Sequence, residues 1–225
     1  MNYFGHGYQH VDDPYFLSGT AVPDWLGVID RRVRARARLA KPWTADADPQ
    51  LAAVAAGVVR HHEDDDWFHR TRAFAELSLT LTVEVRELLA GDPGFRPSFL
   101  GHILVAILLD GALITRDVTR LERYYQALES VDPAAVSRAV HRMTTGPVPT
   151  LERMIPLFCA ERFLYDYLDD AKLLSRLNRV MKRVKLPQLP PVFLTFLPEA
   201  RRRVYGRCDE LLTKETDPGV SGDKS

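Results

Sequence analysis

The chain has little cysteine and no excess of either charge. Two cysteines, Cys159 and Cys208, in 225 residues exclude a disulfide framework. Both fall in helical patterns as small apolar residues and suit a reducing compartment. Lys plus Arg and Asp plus Glu number 30 each, so net charge does not point to nucleic acid or to an acidic membrane. The longest apolar run is ILVAILL, 103–109, well short of the roughly 20 residues that span a bilayer. The opening MNYFGHGYQH lacks the basic and apolar regions of a signal peptide. There is no internal repeat and no Asn-Gly hairpin signal between alternating strands. These absences predict a soluble cytoplasmic protein that contacts neither membrane nor nucleic acid.

The dominant period is helical, and the fold class expected is all-α. Hydrophobic residues make up 46% of the chain, enough for a sizeable core in a chain of this length. Asp48-Pro49 reads as an N-cap followed by a first-turn proline, opening a helix through LAAVAAGVVRHHEDDDWFHR. AFAELSLTLTVEVRELLA, about 18 residues long, is assigned to helix by its length and stops at Gly91 and Asp92-Pro93. Further helices are predicted over 96–115, 117–130, from Asp132-Pro133 to near Gly146-Pro147, over 150–184 with a kink at Pro156, and over about 193–213. One domain is expected over residues 1–213, with a polar, disordered tail over 214–225. The first 45 residues give no clear pattern.

Three of the seven histidines fall within HHEDDDWFH, 61–69. On a helix, His61, Asp65 and His69 lie at i, i+4 and i+8 and share one face. Imidazole and carboxylate are ligands for zinc, manganese or iron, and two ligands one turn apart can meet one ion. The outer pair is about 12 Å apart along the axis, so one of the three lies outside the first ion's ligand set. Glu63, Asp64 and Asp66 are expected to be solvated, and His62 is ambiguous. The plainer alternative is an exposed polar face with a coincidental cluster of histidines.

A second polar pair interrupts the apolar FLGHILVAILLDGALI, 99–114. His102 and Asp110 lie at i and i+8, on the face of the small Ala106. A buried ionised Asp is costly without a partner or an ion, so Asp110 needs one or the other; a structural Asp–His hydrogen bond is the alternative. His6 in the opening segment and Asp24 in VPDWLG are further candidates, although Asp24 could merely cap a following helix.

Together these segments resemble the bacterial acyl carrier protein phosphodiesterases. MNYFGH is similar to that family's Met-Asn-aromatic-Leu-Ala-His start. SGTAVPDWLG is similar to its Gly-Asn-Leu-Leu-Pro/Gly-Asp-Phe segment. GVVRHHEDDDWFH resembles its Gly-Ile-x-x-His-Arg-x-Ile-Asp-x-Phe-Thr-Asp segment, aligning His61 and Asp65 with its His and Asp. FLGHILVAILLDGAL resembles its Asp-x-x-x-Asp-His-Phe-Leu helix, with Asp110 at the second Asp. YDYLDDAKLLSRLNRVMKR shares the rhythm of its C-terminal helices. The similarity runs in order over most of residues 1–184. Ala106 and Gly111 stand where the family has Asp and His, His62 where it has Arg, and Phe68-His69 where it has Thr-Asp. His102, one turn before Ala106, is expected to supply the lost ligand.

The resemblance implies a helical bundle of the HD-domain phosphohydrolase type. It implies a metal held by His6, Asp24, His61, Asp65, His102 and Asp110, with Asp65, Asp110 and His69 taking part in catalysis. Manganese is the ion expected, with iron or zinc as alternatives. The reaction implied is hydrolysis of a phosphodiester, releasing phosphopantetheine from holo acyl carrier protein, with water acidified by the ion. Acyl carrier protein could dock on the basic strip RRVRARARLAK, Arg31 to Lys41, which is otherwise a solvated face. Two other functions compete: a zinc phospholipase C-like helical hydrolase, and a catalytically inactive relative acting as a binding protein. Oligomeric state is not legible in the sequence.

Overall fold

The computed structural model describes residues 1–90, 92–146, 148 and 150–214. All regular structure among these residues is helical. The first 45 residues, patternless in sequence, fold into α1 (Tyr3–Gly7), α2 (Pro14–Ile29) and the short α3 (Ala37–Ala40). Asp13 caps α2 by accepting from Phe16 N, and Pro14 takes the first helical position. Pro23 and Asp24 lie inside α2, so Asp24 caps no helix.

α4 (Pro49–Phe68) starts at the Asp48 cap as expected. It crosses α2 at very close range. A Cβ on Gly57 would lie 2.1 Å from Phe16 O, and one on Gly19 would lie 2.3 Å from Val54 O. Only hydrogen at both positions allows this backbone-to-backbone contact. α5 (Arg72–Leu88) is capped by the Thr71 hydroxyl and lies against α6 (Pro97–Arg116).

α6 is the central helix. Fourteen of its 20 residues are buried, and it touches α1, α5, α7 (Val118–Ser130), α11 (Phe193–Gly206) and α12 (Cys208–Leu212). By length and composition alone α6 could cross a membrane, which the seven-residue run 103–109 did not suggest; 72% of its apolar window is buried inside the fold. α8 (Pro133–Arg142) packs on α4 and on α9 (Leu151–Glu161).

The helix predicted over 150–184 is three pieces: α9 (Leu151–Glu161), a 3-10 stretch (Phe163–Leu168) and α10 (Asp170–Arg183). Pro156 lies within α9 without ending it. The break is at Arg162, whose φ of 44° is left-handed and cannot continue a helix. The helix expected over 193–213 likewise divides at Arg207 into α11 and α12. Cys159 and Cys208 are buried and unbonded, as expected. Gly91, Pro147 and most of the polar tail, 215–225, lie outside the described residues.

Candidate metal centre

α1, α2 and α4 meet at His6, Thr20, His61 and Asp65. One nitrogen from each of His6 and His61 and one oxygen of Asp65 lie within 4.8 Å of one another. His6 Nε2 stands 3.4 Å from Asp65 Oδ1, and His61 Nε2 stands 3.6 Å from Asp65 Oδ2. Ligand atoms bound tetrahedrally at about 2.1 Å lie roughly 3.4 Å apart, so both spacings suit one small divalent ion. The rings of His6 and His61 stack with centroids 4.0 Å apart, and both side chains are buried. Asp65 is the most exposed of the three.

Each donor is presented by local structure. His61 and Asp65 are one turn apart on α4, as the sequence predicts. His61 Nδ1 lies 2.8 Å from the carbonyl oxygen of Thr20. A carbonyl only accepts, so Nδ1 carries the proton and Nε2 turns its lone pair towards Asp65. The Gly19–Gly57 crossing brings α2 close enough for this bond. Burial, followed by the neighbouring His6, holds the His61 pKa well below its ordinary value, so the ring is neutral as a ligand must be.

His6 has no hydrogen-bond partner at either ring nitrogen although both are buried. Unpaired buried nitrogens of this kind are rare and costly. Burial opposes charge on His6, but Asp64 and Asp65 outweigh it and raise its pKa. Burial works against ionisation of Asp65 as well; His6 and the Met1 amino group, which contacts Asp65, overcome it and hold the carboxyl well below its usual range.

Asp64 corrects the expectation that it is solvated. Its side chain is buried and accepts from Arg60 Nε at 2.7 Å and Trp67 Nε1 at 3.0 Å, while Oδ2 faces His6 Nδ1 at 3.6 Å. Glu63 and Asp66 are exposed, as expected. His62 binds the carbonyl of Ala35 at 2.7 Å and ties the basic strip to α4. That strip is mostly irregular: of its residues only Ala37–Ala40 form α-helix, followed by a 3-10 turn, Lys41–Trp43.

None of the remaining candidates falls within the close group of His6, His61 and Asp65. Asp24 Oδ2 is buried with no hydrogen-bond partner. Burial raises its pKa, and the charges of His6 and Asp65 both act on it. Asp110 is fully buried and accepts from Asn2 Nδ2 at 2.7 Å, Phe4 N at 3.0 Å and Gly5 N at 2.7 Å. It therefore caps α1, and its partners are this backbone and Asn2, where His102 or an ion was expected. Burial pushes its pKa up to about 6, and the α1 amides hold it from rising further.

His69 lies just past the last residue of α4. Its ring is 4.8 Å from that of His102, and both pack against Phe74. Burial first, then the Met1 amino group, lowers both pKa values, that of His69 to about 4. His102 is exposed, so it does not fill the space left at Ala106. At Gly111 a Cβ would lie 2.7 Å from Tyr205 Oη, so a tyrosine hydroxyl occupies the space a longer residue would need. Asp64, Asn2 and the Thr20 carbonyl are the site groups that sequence reasoning missed. A comparison with protein-family models, curated proteins and solved structures finds no match to this chain.

Proposed function

We propose that the protein is a divalent-metal-dependent phosphoric ester hydrolase whose ion is held by His6, His61 and Asp65. One observation carries this reading: two buried imidazoles and a carboxylate converge from α1 and α4, one imidazole fixed as a lone-pair donor and the other facing carboxylates without a hydrogen bond at either nitrogen. Such a donor set suits manganese, iron or zinc; manganese is the ion proposed. A bound ion of this kind supplies a Lewis acid that acidifies water and offsets charge on phosphoryl oxygens.

The chain's own groups do the rest. Thr20 fixes the tautomer of His61, and Asp64 faces the outer nitrogen of His6. Asp24, with its unpartnered oxygen, is the proposed fourth ligand. Asp110 acts as a positioning residue, holding the helix that carries His6. His69, neutral at pH 7, is proposed to take a proton from attacking water, and its neighbour His102 to steady it.

For the substrate we propose a phosphodiester of the acyl carrier protein class, handled in the cytoplasm. The support is charge. Two surface hollows that share Arg96 and Phe99 are lined by Arg86 and His102 in one and by Arg31 and Arg34 in the other. They join the basic strip Arg31 to Lys41 to the histidine edge of the centre, a cationic approach suited to an acidic partner.

The test is metal analysis of protein purified without chelator, with turnover of an aryl phosphodiester in added manganese. About one ion per chain is expected, and Asp65→Ala should lose both ion and turnover while helicity is kept. Retention of the ion after Asp65→Ala would place the ligands elsewhere. An ion without turnover would favour a binding protein.

A further inference from the structure

A cavity of about 380 Å³ opens beside Asn2 and Tyr3 and includes none of the three ligand residues. Its walls are apolar, with Tyr3, Ile107, Phe158 and Phe163 among them. The exposed Leu157 extends that apolar surface at its lip. One side is different: Arg176, Arg179 and Arg183 line it from α10. Their i, i+3, i+7 spacing puts them on one helix face.

These three cations are not equally committed. Glu161 pairs with Arg176 at 2.8 Å and Arg179 at 3.6 Å, and Asp166 also holds Arg176 at 2.7 Å. Arg183 has no ion pair among the described residues. Its charge acts on Tyr3 within the cavity wall and on Asp24. Asp24 in turn feels His6 and Asp65. Asn2 makes the same link from the other side, lining the cavity while donating to Asp110 and to Tyr167 Oη at 3.3 Å. Arg183 and Asn2 thus connect the cavity wall with Asp24 and Asp110, the acids outside the three-residue group.

We propose that this cavity binds an anionic amphiphile, the apolar half of a phosphoric ester, with the phosphate against Arg183 and towards the metal centre. As a statement about the substrate, it rests on the hydrolase reading above. The volume falls within the range of small-molecule sites. A free phosphate would leave the apolar walls unused. A neutral apolar molecule would leave the exposed cation of Arg183 at the cavity's edge unused. An apolar group carrying one phosphate satisfies both.

The test uses the full chain after metal removal, with monooctyl phosphate, inorganic phosphate and octanol titrated by calorimetry. Octyl phosphate should bind one-to-one, about tenfold or more tighter than either other ligand. Arg183→Gln and Leu157→Glu should each weaken it by about tenfold, while Leu79→Glu, at an exposed α5 position outside the cavity, should not. In a second arm with manganese, octyl and methyl 4-nitrophenyl phosphate are compared, and the octyl ester should show the lower KM. Octyl phosphate binding no tighter than inorganic phosphate, or binding indifferent to both cavity variants, overturns the proposal. Binding as expected without turnover of either ester upholds the cavity's ligand and removes the hydrolase reading. Turnover of both esters with equal KM and no octyl phosphate binding removes the cavity ligand and leaves the hydrolase.

Discussion

Asp110→Asn in metal-free protein isolates the cost of holding a carboxylate at the buried foot of α1. Burial pushes the folded pKa of Asp110 up to about 6, against an ordinary value of about 3.9. The difference is about two decades in proton affinity, or roughly 3 kcal/mol. The sign follows from proton counting. Between about pH 4 and pH 6 the folded chain holds a proton at Asp110 that the unfolded chain has released, so stability falls as pH rises through this window. Below about pH 4 both states are protonated and the full contribution is present; above about pH 6 it is lost. Asn cannot titrate and lacks this slope. It also sets an amide N–H2 against donors, a fixed penalty at every pH. The measurement is therefore a difference of differences, with urea unfolding of wild type and Asp110→Asn followed by circular dichroism from pH 4 to pH 7. The stability of the variant relative to wild type should rise by about 2 kcal/mol across that range, since part of the full change is already spent at pH 4. A gap constant to within about 0.5 kcal/mol would refute the reasoning, because Asp110 would then titrate alike in both states.

Gly57→Ala should destabilise the fold by about 1–3 kcal/mol through overpacking against Phe16 O, and should weaken metal retention because α2 and the Thr20 carbonyl must move; thermal unfolding and metal analysis check both. Asp64→Asn should lower the pKa of His6, since the Asp64 carboxylate facing its ring helps to hold it up. An NMR titration of the His6 ring in metal-free protein would show the shift, and an unchanged value would exclude the contact.

The sequence showed the α4 face clearly because His61 and Asp65 share a helix, and one turn of spacing suffices to pair them. It misplaced Asp64 because a helical wheel knows only its own helix. One position from Asp65 points about 100° away, towards what looked like solvent, and α1 fills that direction. Asp110 was rightly expected to need partners, but those partners are main-chain N–H groups of α1, which no residue pattern displays. Asp-Pro pairs marked the starts of α4 and α8 because cap chemistry is local. The end of α9 was invisible because it depends on a left-handed arginine, where glycine is the usual signal.

The five residues of α1 have a thermodynamic meaning beyond their contacts. A helix so short does not persist by itself; it exists while docked. It carries His6, whereas His61 and Asp65 belong to the long α4, so an ion of the proposed kind, bridging them, would act as a clasp between a labile element and a stable one. Apparent affinity then scales with the fraction of chains in which α1 is docked. By the same linkage, each increment of ion occupancy returns as protection of the α1 amides against hydrogen exchange. Affinity for the proposed ion and the local opening of the N-terminal turn would thus be two readings of one equilibrium.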